Sequence, residues 1–230
     1  MKQQAWRIAL RDTIPIMTGY LFLGLGFGIL LEENGYGVGW AFFMSLVMYA
    51  GSGQYLAVSL LASQASLLST AVATLLVNAR HIFYGISLVD DYKGAGKKKT
   101  YMMFGLSDET YSLVTQRQPP EGISRHAYCF WVTLLDHSYW ICGSILGNIL
   151  GAAIPIDLEG VEFVLTALFV TMFVEQWVNN KNHRPAVIGV MSAVLCLLIF
   201  GKDIFLIPAM AVIALLLIIS RETARRAINA

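Results

Sequence analysis

Charge is what this sequence is shortest of. Only 13% of its 230 residues are charged, where an average soluble domain carries about 25%. The hydrophobic share is 57% and the mean hydropathy is +0.62. A soluble globule of this size could not cover its surface with so little charge. The same figures exclude intrinsic disorder and a coiled coil. Three cysteines are too few for a secreted disulfide scaffold. Cys129, Cys142 and Cys196 sit in apolar runs and read as small buried hydrophobes. No CxxC or Cys/His cluster marks a metal site, so none is expected. GxxxxGK[ST], HExxH and GxSxG are absent, and no cofactor is implied. Gly24-Leu25-Gly26-Phe27-Gly28 lacks the spacing and the preceding strand of a dinucleotide loop. A net charge of +1 leaves no basis for a nucleic-acid partner.

What is present is apolar sequence in long runs. Hydrophobic stretches fall at 13–31, 38–61, 66–89, 101–114, 127–154, 161–178, 186–200 and 203–220. The class is an all-α polytopic membrane bundle, and a helical span takes about 20 residues. The basic N-terminus (Lys2, Arg7, Arg11) precedes a first run too long for a signal peptide, so it reads as a retained span. Cytoplasmic loops are enriched in Lys and Arg. The basic clusters are the N-terminus, Lys93 with Lys97-Lys98-Lys99, Arg117 with Arg125, Lys181 with Arg184, and Arg221, Arg225 and Arg226. If all eight stretches crossed, the lysine run would face outward. If 38–61 and 101–114 each enter and leave on one side, every basic cluster except Lys202 becomes cytoplasmic. The expectation is therefore six full spans plus two re-entrant or broken segments. Residues 1–230 form a single transmembrane domain with both termini inside.

The two odd segments carry their own marks. Ala50-Gly51-Ser52-Gly53-Gln54 interrupts the first with poor helix formers. Ser107-Asp108-Glu109 interrupts the second, and each charge in lipid costs about 2.5–3.5 kcal/mol. Non-helical backbone at membrane depth survives only inside protein or beside water. Gly24 and Gly28, and Gly143, Gly147 and Gly151, form small faces that let helices approach closely, within the chain or against a partner.

Ionisable groups inside spans are functional candidates. They are Arg80 and His81 after Asn78-Ala79, Asp108-Glu109, and Asp136-His137. Arg80 lies near mid-span and needs a partner, with Asp108 or Asp136 expected. Glu175 reads as interfacial, beside a belt residue, Trp177. The break at Gly51-Ser52-Gly53 frees backbone N–H groups at the start of a half-helix, where a carboxylate binds well. Gln54 adds an amide beside it. Such breaks near the midplane are the usual substrate site of secondary transporters. With acidic residues for an ammonium group, the set Gly51, Ser52, Gly53, Gln54, Asn78 and Arg80 suits a zwitterion with an apolar side chain. His81, Asp108, Glu109 and Asp136 are the candidates for proton coupling or gating.

Three elements, Tyr49-Ala50-Gly51-Ser52-Gly53-Gln54, Asn78-Ala79-Arg80-His81-Ile82-Phe83-Tyr84-Gly85 and Leu106-Ser107-Asp108-Glu109-Thr110, occur in the order and spacing of the AzlC family of branched-chain amino-acid permeases. The chain resembles that family over essentially its whole length, most specifically at Asn-x-Arg-His. The resemblance implies a secondary exporter of valine, leucine and isoleucine, with methionine as a further substrate, in a bacterial inner membrane. It also implies a small AzlD-type membrane partner required for transport. Proton coupling is the economical source of energy. An enzyme is not expected. Two other readings stay open: a scaffolding subunit built around the Gly143–Gly151 face, and an intramembrane enzyme using Ser52.

Overall fold

A computed structural model of the chain describes residues 2–153, 167, 170–171, 173–174, 177–178, 183–201, 205, 208–209, 211–213 and 215–216. All regular structure among them is α-helical. Glu175, Lys181, Lys202, the Asp157–Glu162 connection and the basic tail lie outside the described residues, as do most of 161–178 and 203–220. The chain falls into two compact units, Met1–Leu165 and Thr166–Ala230.

The first unit holds seven described helices: α1 (Lys2–Glu33), α2 (Val38–Val47), α3 (Gly51–Ala62), α4 (Leu67–Leu88), α5 (Lys98–Phe104), α6 (Asp108–Gln116) and α7 (Arg125–Ala153). Within α1 the stretch Gln4–Glu33 is the one described helix long and apolar enough to cross a membrane. It starts well before the expected 13–31. Helix α7 has 29 residues but carries Asp136-His137 in its middle. The stretch 66–89, expected as a plain span, is bent by 44° between Leu67–Leu75 and Val77–Leu88. Asn78 Nδ2 donates to Thr74 O at 2.9 Å beside the bend. A side-chain bond to the i−4 carbonyl competes with the helix ladder and bends it. The six expected spans are thus not all represented among the described residues.

Helices α1 and α7 form the spine of this unit, and glycine makes their contact possible. A Cβ on Gly24 would come 2.9 Å from Ser144 N, and one on Gly143 2.9 Å from Tyr20 O. A Cβ on Gly28 would collide with Ser144 O, and one on Gly147 with Leu25 O. The two small faces read from the sequence therefore meet each other. Gly151 is looser, 3.3 Å from Glu32 Cβ. Asn148, buried on α7, donates to Gly28 O (3.2 Å) and Tyr36 O (2.8 Å). Of the cysteines, Cys129 and Cys196 are buried, but Cys142 is exposed. The expectation fails there because α7 turns Trp140, Gly143, Ser144 and Gly147 inward, and a residue two positions from Trp140 lies on the opposite side.

Basic residues gather at one end of the unit. Arg117 pairs with Asp12 of α1 at 2.8 Å, and Tyr128 donates to the same carboxylate at 2.9 Å. Arg125 pairs with Asp91 and donates to Val114 O, each at 2.8 Å, and reaches Arg117 O at 3.2 Å. Helices α5 and α6 thus start and finish near the same end of the unit and form a helical hairpin. Helices α2 and α3 make a second hairpin, from the end of the unit where α1 stops. The two hairpins meet in the middle, where Tyr49 and Phe104 bring their rings to 6.5 Å.

In the second unit, α8 (Arg184–Phe200) has 17 residues, about 26 Å long. Trp177 stacks on His183 just before it, at 4.2 Å and 16°. Phe173, Val174, Trp177, Val187, Val190 and Met191 line an apolar groove of about 490 Å³.

The spine gives a direct prediction. Gly147→Ala forces the α1 backbone away and should destabilise the protein by about 1–3 kcal/mol, the usual cost of overpacking. Gly19→Ala, on open surface, should be neutral or stabilise by up to about 1 kcal/mol through helix propensity. Thermal unfolding midpoints of the two variants in detergent check this; equal midpoints would contradict the contact.

Candidate functional site

The site is built where the two hairpins break. In the first, α2 ends at Val47 and α3 starts at Gly51. Tyr49 has φ +39°, the left-handed region, which costs a non-glycine residue about 1–2 kcal/mol. Its ring is held against His137 at 4.3 Å. Gln54, fully buried, ties the break: its Oε1 accepts from Trp140 Nε1 (2.8 Å) and Ala50 N (3.3 Å), and its Nε2 donates to Ser45 Oγ (3.3 Å). His137 closes the same brace, with Nε2 3.1 Å from Ser45 O and Nδ1 3.0 Å from Tyr101 Oη. The indole lies over Gly51, where a Cβ would meet it at 3.3 Å.

In the second hairpin, α5 stops at Phe104 and α6 starts at Asp108. Gly105 packs so closely on Thr133 of α7 that a Cβ there would collide with its methyl group. Ser107 caps α6, accepting from Thr110 N at 3.1 Å. Asp108 and Glu109 fill the first turn, where the helix dipole favours negative charge.

Arg80 joins the two breaks. Its Nη2 lies 3.0 Å from Asp108 Oδ2 and donates to Ser52 Oγ at 3.1 Å. Of the two partners expected for Arg80, the structure places Asp108 against it. Tyr84, one turn along α4, donates to Asp108 Oδ1 at 2.7 Å. Asn78 packs on Gly53, where a Cβ would come 2.9 Å from its Nδ2. Arg80 Nε and Asn78 Oδ1 are buried without a hydrogen-bond partner among the described residues. His81, half-buried, sets Nδ1 3.1 Å from Asn78 O and meets Tyr84 edge-on at 5.8 Å.

Glu109 and Asp136 belong to a different neighbourhood. Glu109 turns from Arg80 towards α1, with Oε2 2.7 Å from Tyr20 Oη. Tyr20 Oη is also 2.5 Å from Ser107 Oγ. Ser107 Oγ is 3.1 Å from Thr110 Oγ1, which is 2.7 Å from Asp136 Oδ2. Asp136 is fully buried, and its Oδ1 has no partner among the described residues; nor has the buried Tyr49 hydroxyl.

The structure thus brings Gly51, Ser52, Gly53, Asn78, Arg80 and Asp108 to one junction. Gln54 stands behind it as a brace, and Glu109 and Asp136 lie beside it. Sequence reasoning missed Tyr20, Tyr84, Thr110 and the brace made by Trp140, Ser45 and Tyr101. In an apolar run a tyrosine or tryptophan counts as hydrophobic, and no spacing rule marks which hydroxyl or indole N–H is buried against a polar partner.

A family model and a relative of high identity name the same family. A family model described as AzlC protein matches residues 15–154. The branched-chain amino acid transport protein AzlC of Bacillus subtilis is 40% identical over 97% of this chain and 88% of its own length. An uncharacterized membrane protein of Helicobacter pylori is 41% identical over 95% and 96%. Inner membrane protein YgaZ of Escherichia coli is 26% identical over 80% and 79%. No solved structure matches the chain.

The Arg80–Asp108 contact should show as energetic coupling. In a double-mutant cycle of Arg80→Gln and Asp108→Asn, residues in direct contact couple by about 0.5–3 kcal/mol. Unfolding midpoints of the two single variants and the double variant measure it, and strictly additive effects would contradict the pair. Trp140→Phe removes one donor from Gln54 and should cost about 1–2 kcal/mol by the same measurement.

Proposed function

The chain belongs to the AzlC family of membrane proteins, and from that premise we propose that it is the large subunit of a secondary transporter that exports branched-chain amino acids. Valine, leucine and isoleucine are its substrates, with methionine as a further one. It works as a single multi-pass transporter domain of the bacterial inner membrane, with both termini cytoplasmic. It acts with a small AzlD-type subunit, driven by protons. What carries the reading is the Bacillus subtilis relative, whose name is that of a branched-chain amino acid transport protein.

The junction suits a zwitterion. The start of α3 has no side-chain cap, so the N–H groups of Gly51, Ser52 and Gly53 face a point of positive potential. An amino-acid carboxylate would bind there and on the unpartnered Arg80 Nε. The ammonium group would bind Asp108, which holds Arg80 while the site waits. Asn78 Oδ1 is a further acceptor for it. Gln54, with its amide occupied, keeps the break in shape. His81, Asp108, Glu109 and Asp136 supply the protonatable groups. The gathering of basic residues beside Asp12 and Asp91 supports a cytoplasmic placement of that end.

The enzyme reading has less support. Ser52 Oγ accepts from Arg80, and among the described residues no carboxylate or imidazole is hydrogen-bonded to it. A scaffolding role explains the glycine faces, but those are filled within the chain.

Cells loaded with labelled isoleucine and expressing the chain with its small partner should lose label several-fold faster than cells lacking either. Arg80→Ala should abolish the difference, and a protonophore should collapse it. Equal efflux with and without the pair would sink the proposal.

A further inference from the structure

Five oxygens are linked in succession from Glu109 of α6 to Asp136 of α7: Glu109 Oε2, Tyr20 Oη, Ser107 Oγ, Thr110 Oγ1 and Asp136 Oδ2. The four contacts between them measure 2.7, 2.5, 3.1 and 2.7 Å. Each is within hydrogen-bond distance, so each needs one proton. The three hydroxyls between the ends supply three, one apiece. The fourth can come only from a carboxyl group. If Glu109 is protonated, it donates to Tyr20, Tyr20 to Ser107, Ser107 to Thr110, and Thr110 to ionised Asp136. If Asp136 is protonated, every bond runs the other way and Glu109 is ionised. With both carboxylates ionised one contact loses its proton; with both protonated one contact holds two.

From this count we infer that Glu109 and Asp136 share a single proton along a wire of three hydroxyls, and that this pair is a proton-binding site of the first unit. The role of that proton in coupling rests on the transporter reading above. The surroundings agree. Asp136 is fully buried, and its Oδ1 has no hydrogen-bond partner among the described residues. A buried carboxylate with an unpartnered oxygen is costly, and a neutral carboxyl group is far less so. The groups facing the pair are the phenols of Tyr20 and Tyr49, the hydroxyls of Ser107 and Thr110, and the carboxylate of Asp108. None of these is a cation. Arg80 is committed to Asp108, and the His137 ring to Ser45 and Tyr101.

The two ends differ in access. Asp136 is sealed, while Glu109 is half-buried next to the junction. A proton taken up on Glu109 reaches Asp136 when each hydroxyl passes on its own proton and accepts the one before it. Glu109 then becomes the carboxylate and Asp136 the acid, with no net change in charge. Because Asp108 precedes Glu109 in the same first turn of α6, movement of that turn joins the proton site to the Arg80 pair.

Infrared spectroscopy of the full chain in lipid reads the proton without needing a substrate. The wild type should show, at neutral pH, the carbonyl stretch of a protonated carboxyl group, and the band should be lost in Asp136→Asn and lost or shifted in Glu109→Gln. Tyr20→Phe, which keeps both acids and breaks the wire, should move the pH at which the band titrates, and serves if Asp136→Asn does not fold. A wild type without the band between pH 6 and pH 8 overturns the inference, as does a band that Asp136→Asn, Glu109→Gln and Tyr20→Phe all leave unaltered. A band with no isoleucine efflux would count against the transport reading alone, whereas proton-driven efflux without the band would count against the wire alone.

Discussion

A half-buried guanidinium between apolar helices calls for an anion beside it, and much of the first unit is arranged around that requirement. Without Asp108 the half-buried Arg80 guanidinium would be left with no carboxylate among the described residues. Asp108 answers it at 3.0 Å, which requires α6 to begin beside α4. For α6 to begin there, the backbone has to stop and restart inside the bundle. That is tolerated only where side chains cap the freed groups, as Ser107 does for Thr110 N. Ser52 completes the arginine's shell from the other break. One ion pair therefore fixes where both hairpins interrupt their helices.

The adjacent carboxylates show how little separation is needed to divide two tasks. Asp108 and Glu109 are neighbours on one turn, yet one answers α4 and the other answers α1. Asp108 is paired with Arg80 and belongs to the junction. Glu109 accepts from the Tyr20 phenol and belongs to the chain leading to Asp136. The Arg80 pair and the Glu109–Asp136 chain thus share one helical turn, so a shift of that turn moves both without any long-range path.

Much of this was legible in the sequence where the signal was a residue out of place. Glycine and serine in 50–54 and two acids in 107–109 interrupt apolar runs, and the structure breaks the helices at 48–50 and 105–107, so that most of these residues form the first turns of α3 and α6. The glycine spacing in α1 and α7 announced a close contact, and the two faces meet. Arg80 demanded an acid and has one. The rest was hidden for a physical reason. Tyr20, Tyr84 and Trp140 look like ordinary apolar positions, because their rings are; only the fold decides that a hydroxyl or an indole N–H meets a polar partner. The bend in α4 was equally hidden, since it turns on which carbonyl the Asn78 amide selects. Nor could spacing say that Gln54 would be used to hold a loop together.

The interlocked glycines of α1 and α7 also have a mechanical meaning. Backbones in contact at Gly28 and Gly147 cannot slide past one another without lifting apart, so the two long helices behave as a fixed post. The parts hung on that post are short: hairpin arms of 10, 12, 7 and 9 residues and a helix already bent at its middle. Within the first unit, a rearrangement at the junction falls to those arms and that bend, each shifting against a frame that stays still.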